Sequence, residues 1–442
     1  MSATTVLADT WLQEFRDIEP ALPGANLPWL QAQRVTALAR FRNAGFPTLR
    51  QEDWKYTDIR PIVQRRYHLA VAARLTDAIA LKPYSLAEHQ LVFVDGHYAP
   101  SLSVAAHLPS GVEVMSLAEA IARLPDRVEP WLGRTAGPGR NGFGALNAAF
   151  LQDGVFIHLA RGTELEAPVH LLFLTSGAPD SVAYVRNLIV AEAGSRASVI
   201  ESYAALADAT GLTNSVTEIV LESGAQLEHY RLGREAEAAY HVGSTDVQLG
   251  RDSRYTSHCI ALGGRIVRHE LYAALDAEGA ECTLNGLYVT HGRQHVDNHT
   301  RIDHHQPHGT SREWYKGVLD GQSRAVFSGR VVVHPQAQHT DAEQANHNLL
   351  LSETAEADSR PQLEIYADDV KCAHGATVGN LDPDALFYLR SRGLDDAHAR
   401  SLLVYAFAGD VLARIRLARL RAQLEQQLAA RLALQRVREM PL

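Results

Sequence analysis

The chain has 442 residues, 46% of them hydrophobic and 21% charged, which supplies a large core and excludes a disordered, low-complexity polymer. Its length predicts two to three domains. The 51 acidic side chains outnumber the 42 basic ones, and a formal charge of −9 argues against nucleic-acid binding by phosphate neutralisation.

The first residues, MSATTVLADTWLQEF, carry Asp9 and Glu14 and no basic stretch ahead of the apolar ones, so no signal peptide is expected. Residues 1–88 read as a mainly helical domain. Within it, Pro28 to Asn43 places Leu30, Val35, Leu38 and Phe41 at near-helical spacing, with Pro28 suited to the first turn and Gly45 to the stop. Leu91 to Val94 followed by Asp95-Gly96 predicts a strand and tight turn. Ser116 and Glu119 form a capping box that opens another helix. Five glycines and two prolines between Pro130 and Gly144 predict a loop or domain boundary.

From about Asp153 strand-like runs alternate with short turns, and long helical patterns are missing. The turns centred on Gly194, Gly224, Asp252 and Gly279 fall 30, 28 and 27 residues apart. A repeat of this length, without a helix after each strand, predicts a β-solenoid core over 89–379; the alternative is a large antiparallel sandwich. The segment 380–442 reads as helical again. Asp382-Pro383 opens one helix that Gly393 closes, and Asp395 or Asp396 opens the next, to Gly409. Val411 to Glu439 then aligns Leu417, Leu420, Leu424, Leu428 and Leu432 on one face amid seven arginines. That stripe either docks on its own domain or meets a partner; aromatic anchors for a membrane surface are absent. Asp410 and Arg414 interrupt the most apolar stretch, Leu402 to Ile415, which excludes a membrane span.

Three cysteines, Cys259, Cys282 and Cys372, are too few for a disulfide framework or a Cys₄ zinc site, and they point to a reducing, cytoplasmic setting. Histidine, at 21 residues, is the outlier. His291, His295, His299, His304, His305 and His308 cluster, and in a strand His295, Asp297, His299, Arg301, Asp303 and His305 share one side. Such a row either binds a divalent metal or forms a polar ladder, and the ladder is favoured because no H-E-x-x-H or C-x-x-C motif accompanies it. Cys372 and His374 also share a side of an extended strand. Thiolate and imidazole suit iron, zinc or iron–sulfur species, but two ligands are too few to hold a metal alone. No Walker loop or G-x-S-x-G elbow is present, and Gly142-Phe-Gly144 is a lone G-x-G.

Several motifs together resemble the SufB/SufD family of iron–sulfur cluster assembly proteins, its D-type subunit most closely. They are Trp54-Lys-Tyr-Thr57, His295-Val-Asp-Asn-His299, Tyr315-Lys-Gly317, Phe327-Ser-Gly329, His347-Asn-Leu-Leu-Leu351, Pro361-Gln-Leu-Glu-Ile365, Asp368 through Cys372-Ala-His374-Gly-Ala-Thr377, and Leu386-Phe-Tyr-Leu-Arg-Ser-Arg-Gly393. The resemblance implies a right-handed parallel β-helix flanked by N- and C-terminal helical domains. It implies a non-enzymatic scaffold subunit that pairs with a SufB-like subunit and docks a SufC-like ATPase through its C-terminal helices. By that likeness His374, and more weakly Cys372, would meet a nascent cluster shared with the partner, and the isolated chain would hold none. Leu386, Phe387, Tyr388, Arg390, Arg392, Tyr405 and Phe407 would contact the ATPase. SufB-type chains carry a cysteine on the turn after the Leu-Leu stretch; here Ser352 to Arg360 has none, so the sulfur-accepting thiol is expected in the partner. In isolation such a chain could form a homodimer. The competing expectation is a metal-dependent β-helix enzyme acting on a carbohydrate or small acid through His295, His299 and Asp303.

Overall fold

The computed structural model describes residues 11–432 apart from 12, 14, 72–80, 82, 105–107 and 209. The opening residues 1–10 and the end of the last expected helix, 433–439, lie outside that set.

Strands from Val155 to Gly379 alternate between two parallel sheets, one strand per sheet in each coil. The first sheet takes Val155–Leu159, Ser181–Ala191, Gly211–Leu221, Tyr240–Leu249, Ile266–Leu275, His295–His304, Arg324–Val333 and Glu356–Ile365. The second takes His89–Val94, Val169–Thr175, Arg196–Ala205, Gln226–Arg234, Arg254–Ala261, Glu281–Thr290, Thr310–Leu319, Asp341–Leu350 and Lys371–Gly379. This is the solenoid, and parallel pairing throughout the run excludes the sandwich. At the opening end the edges are closed by antiparallel strands: Val112–Ser116 on Val155–Leu159, and His97–Tyr98 on His89–Val94.

The turns that carried the repeat stack on each other. Gly162, Gly194, Gly224, Asp252, Gly279, His308 and His339 all take φ between 53° and 74°. Each donates its N–H to the turn of the next coil, from Gly162 to Ala193 O (2.9 Å) through to His308 on Gln338 O (2.9 Å). A left-handed residue is required at each corner, which explains the recurring glycine and its replacement by aspartate at 252 and histidine at 308 and 339, side chains enriched in that region. Inside, side chains of alternate residues meet between the sheets. The first coils are filled by an aromatic stack in which Phe93 lies 4.9 Å from Phe173, itself 5.0 Å from Tyr203. From the Arg196–Ala205 strand onward polar groups join the apolar interior: Glu201 accepts from Tyr203 (2.6 Å) and Thr217 (2.8 Å) and meets His229 at 3.1 Å. Burial pushes the Glu201 carboxyl up, but bonding to His229 and the charges of His229 and Arg231 outweigh it and hold it down at about 2.

The N-terminal helix forms over Pro28–Ala44, but its buried face is Leu30, Arg34, Ala37 and Phe41. Val35, expected on that face, is 62% exposed; Arg34, four residues after Leu30 and seven before Phe41, takes the inner position and its guanidinium reaches Pro23 O (2.7 Å). Ser116 caps Leu117–Arg123 by accepting from Glu119 N–H, as expected. The loop beginning at Pro130 is shorter than its glycines suggested. Asn141 caps a helix over Gly142–Phe150, and Gly142 lies so close to Gly45 that a Cβ would sit 2.2 Å from its carbonyl oxygen. Upstream, Glu218 gathers the loop by accepting from the N–H groups of Gly133 (2.8 Å), Thr135 (3.1 Å) and Ala136 (3.1 Å).

Trp54 and Thr57 fasten the N-terminal segment to the first sheet. The Arg268 guanidinium lies 3.7 Å from the Trp54 ring centre and pairs with Glu270 (2.7 Å) and Asp297, while Thr57 donates to Asp297 and meets His295 at 2.9 Å. Arg268 and Asp297 are both buried. Burial opposes the charge of Asp297, but Arg268 and His299 outweigh it and hold its carboxyl well below the usual range. Removing one partner leaves an uncompensated buried charge, so Arg268→Ala should lose about 3–5 kcal/mol, read as a fall in urea midpoint. An unchanged midpoint would show that the cluster contributes nothing to docking the segment.

The C-terminal helices are Pro383–Ser391, Asp396–Leu412 and Ala418–Arg431. The long helix expected from Val411 is broken at 413–417 by a turn, and its leucine stripe is covered. Leu420, Leu424 and Leu428, with Val404 and Ala408, pack on Ile260, Leu287, Val318 and Leu349 of the second sheet. The stripe therefore docks on its own chain. No described helix is long and apolar enough to cross a membrane.

Candidate functional site

Opposite the capped end, Glu356–Ile365 and Lys371–Gly379 are the last strands of their sheets, each paired on one side only. Lys371–Gly379 pairs with Asp341–Leu350, setting Cys372 beside Ala342 and His374 beside Gln344. These partners point into the solenoid: Ala342 belongs to its apolar core, and Gln344 donates to buried Glu313. His374 therefore ends an inward file that runs His229, Ser257, Leu284, Glu313, Gln344, His374 through successive coils. Cys372 packs partly on the core, and His374 is exposed at the mouth. The structure thus places both on the inward side of one strand, where no further described coil covers them. Burial pushes the Cys372 thiol up, favouring its neutral form. One imidazole and one thiol leave at least two positions of a tetrahedral metal shell unfilled.

The same last coils hold the motif residues that looked arbitrary in sequence. Gly329 leaves room for Gln344: a Cβ there would sit 2.1 Å from the Gln344 amide nitrogen. Asn346 donates to the Tyr288 hydroxyl (3.0 Å) and accepts from Asn348 (2.8 Å) and Ser359 (2.7 Å), tying the two sheets together behind His374. Glu313 is the group sequence reasoning missed, because alternation marks a residue as inward without saying that a carboxyl is tolerated there. Burial raises its carboxyl to about 7, with the hydrogen bond from Gln344 only partly opposing; Cys282 and Tyr315 are the other titratable groups near it.

The sign of this shift gives a pH prediction. Below the unfolded carboxyl value both states are neutral. As pH rises toward 7 the unfolded chain ionises first, so stability falls across that window and levels off above it. Glu313→Gln should remove roughly 2–3 kcal/mol of that loss between pH 5 and pH 8. Urea midpoints of both proteins at the two pH values check this, and parallel midpoints would contradict it.

The remaining candidates separate. His295 is held by Thr57, and His299 meets Asp297 at 3.0 Å. Asp303 accepts from Arg301 (2.7 and 2.9 Å), so His295, His299 and Asp303 do not converge on one point. The first half of the expected polar row is the latch for the N-terminal segment. Cys259 and Cys282 are buried, and burial pushes both thiols up. On the C-terminal helices, Phe387 is 73% and Tyr388 56% exposed, with Arg390 and Arg392 also exposed and Leu386 half-buried. Tyr405 and Phe407 instead lie half-buried against the second sheet, where Lys316 donates to Phe407 O (3.2 Å).

Comparison with known proteins matches residues 173–407 to the SUF system FeS cluster assembly SufBD core domain and residues 6–171 to the SufBD protein N-terminal region. An iron–sulfur cluster assembly SufBD family protein of Synechocystis sp. is 36% identical over 398 residues, covering 87% of each chain. The iron–sulfur cluster assembly protein SufD of Escherichia coli is 34% identical over 403 residues, 89% of this chain and 91% of that one. A chloroplastic protein of Arabidopsis thaliana, ABCI7, is 27% identical over 417 residues, 90% and 85% of the two chains.

Proposed function

The chain belongs to the SufBD family of iron–sulfur cluster assembly proteins, and we propose that it is a D-type scaffold subunit, not itself an enzyme. In this reading it pairs with a SufB-like subunit through the open end of the solenoid and docks a SufC-like ATPase through the Pro383–Ser391 helix. The observation that carries it is the last coil: His374, with Cys372 behind it, is aimed along the interior file at an end that has strand edges to offer and too few ligands to close a site. A partner continuing the two sheets would bring the missing thiolate and complete the shell on assembly. Ser352–Arg360 has no cysteine, which fits a subunit that leaves sulfur acceptance to that partner. The cluster is cargo, made at the shared surface and passed on, and the isolated chain holds none.

The same exposed edges support self-pairing when the partner is missing. Sedimentation of the purified chain alone, then with an equimolar SufB-like subunit, tests the pairing: the mixture should form a one-to-one heterodimer at the expense of any homodimer. A mixture that sediments as two separate species would overturn it.

A further inference from the structure

The histidine excess has a second destination, at one corner of the solenoid. Three strands of the first sheet end in register at Leu275, His304 and Val333. The residues that follow, Asp276, His305 and His334, therefore stack in one column at 29-residue steps. The ladder continues through them: His305 N–H donates to Leu275 O (3.1 Å) and His334 N–H to His304 O (3.0 Å). Parallel strands lie about 4.8 Å apart, and the rings of His305 and His334 stand 4.4 Å apart, centre to centre. Asp303, pointing outward beside the column, places Oδ1 3.4 Å from His334 Nε2. Donor atoms of Asp303, His305 and His334 all lie within 4.8 Å of one another, and each residue is half-buried.

We propose that Asp303, His305 and His334 bind a divalent first-row transition cation, with Asp276 orienting His305. Imidazole and carboxylate are the ligand types that zinc and its neighbours in the row accept. Bonds of about 2.0–2.1 Å in a tetrahedral shell separate ligand atoms by roughly 3.3 Å, within reach of small side-chain rotations. Asp276 Oδ1 lies 2.7 Å from His305 Nδ1, which fixes the tautomer and leaves Nε2 to the metal, the carboxylate–histidine–metal pairing that raises ligand basicity. Arg301 opposes a cation here, since it donates to both oxygens of Asp303. Two carboxylates against one guanidinium still leave a negative balance, and each carboxylate oxygen has a second lone pair. Water fills the open position. A cation held this way joins two successive coils directly and a third through Asp276, which gives the column a role distinct from the cluster surface at His374.

The test uses the untagged full-length chain, stripped with a chelator and titrated with Zn²⁺ by calorimetry and with Co²⁺ for its visible absorption. One ion per chain is expected. The His305→Ala/His334→Ala variant should lose at least about 100-fold in affinity, and Asp276→Asn about 10–100-fold. Cys372→Ala/His374→Ala should bind as the parent does, so the site stands or falls independently of the proposed scaffold role. Melting without metal should be unchanged by these half-exposed substitutions, and Zn²⁺ should raise the melting temperature of the parent but not of the double variant. No uptake by the parent, or equal uptake by the His305→Ala/His334→Ala variant, would overturn the proposal.

Discussion

Replacing His374 by alanine should reduce cluster accumulation on the reconstituted three-subunit complex to background while leaving the subunit as stable as the parent. The two halves of this expectation have separate causes. His374 is exposed on an edge strand and its side chain has no hydrogen-bond partner among the described residues, so its truncation belongs with surface changes worth less than about 0.5 kcal/mol. Chemically, however, a shared shell that draws only one or two donors from this side loses a large share of its ligands with one imidazole. Cys372→Ala should have a smaller effect, because that thiol is turned partly onto the core and burial keeps it protonated. Iron and acid-labile sulfide, measured after anaerobic reconstitution with matched amounts of assembled complex, are the readout. Normal accumulation by His374→Ala would remove the residue from the site. Failure of the variant to join the complex would instead assign it to pairing.

The solenoid was legible because its signal is physical and repeated. Each coil needs one left-handed corner, so Gly194, Gly224, Asp252 and Gly279 reappear at nearly constant spacing, and the absence of long helical periods between them leaves few alternatives. Residues that obey only a local rule were harder to read. Val35 lies well off the face that Leu30, Ala37 and Phe41 share, and Arg34 fits it by spacing; a charged side chain went unread there until its bond to the Pro23 carbonyl was seen. Gly142 looks like a loop residue until Gly45 is seen to demand that closeness. At the candidate site, the shared side of Cys372 and His374 followed from strand parity, and their assignment to a site from the family resemblance. The file behind them did not, because Glu313 and Gln344 are neighbours only through the register of two parallel strands. The histidine row was read as one face and proved to be two structures: His295 and His299 belong to the latch with Thr57 and Asp297, whereas His305 belongs to a corner column with a residue from the coil before and one from the coil after.

The second large effect is expected at the Pro383–Ser391 helix. Phe387→Asp/Tyr388→Asp should abolish co-purification of the ATPase while the rest of the chain stays folded. A helix of nine residues has little stability of its own, and none of its residues is buried. Asp382 caps its start, accepting from Asp384 N–H (2.9 Å), and Gly393 with φ 97° ends it, so its shape is set without a core to sit on. Two large aromatic side chains held in water on such an element are costly unless a partner covers them, and buried aromatics in an interface are typical hot spots of 2 kcal/mol or more each. Losing both, and placing two carboxylates in the contact, should lower affinity by at least about 1,000-fold. Deleting the whole C-terminal segment cannot test this, because Leu420, Leu424 and Leu428 cover Ile260 and Leu287 and their removal exposes the second sheet. The internal control is Arg419→Ala/Gln423→Ala on the last helix, whose side chains reach Ser85 O and Pro83 O of the same chain and which should retain the ATPase. Undiminished capture by the aromatic double variant would move the docking surface away from this helix, and the exposed arginine face of the last helix would then be the next to substitute.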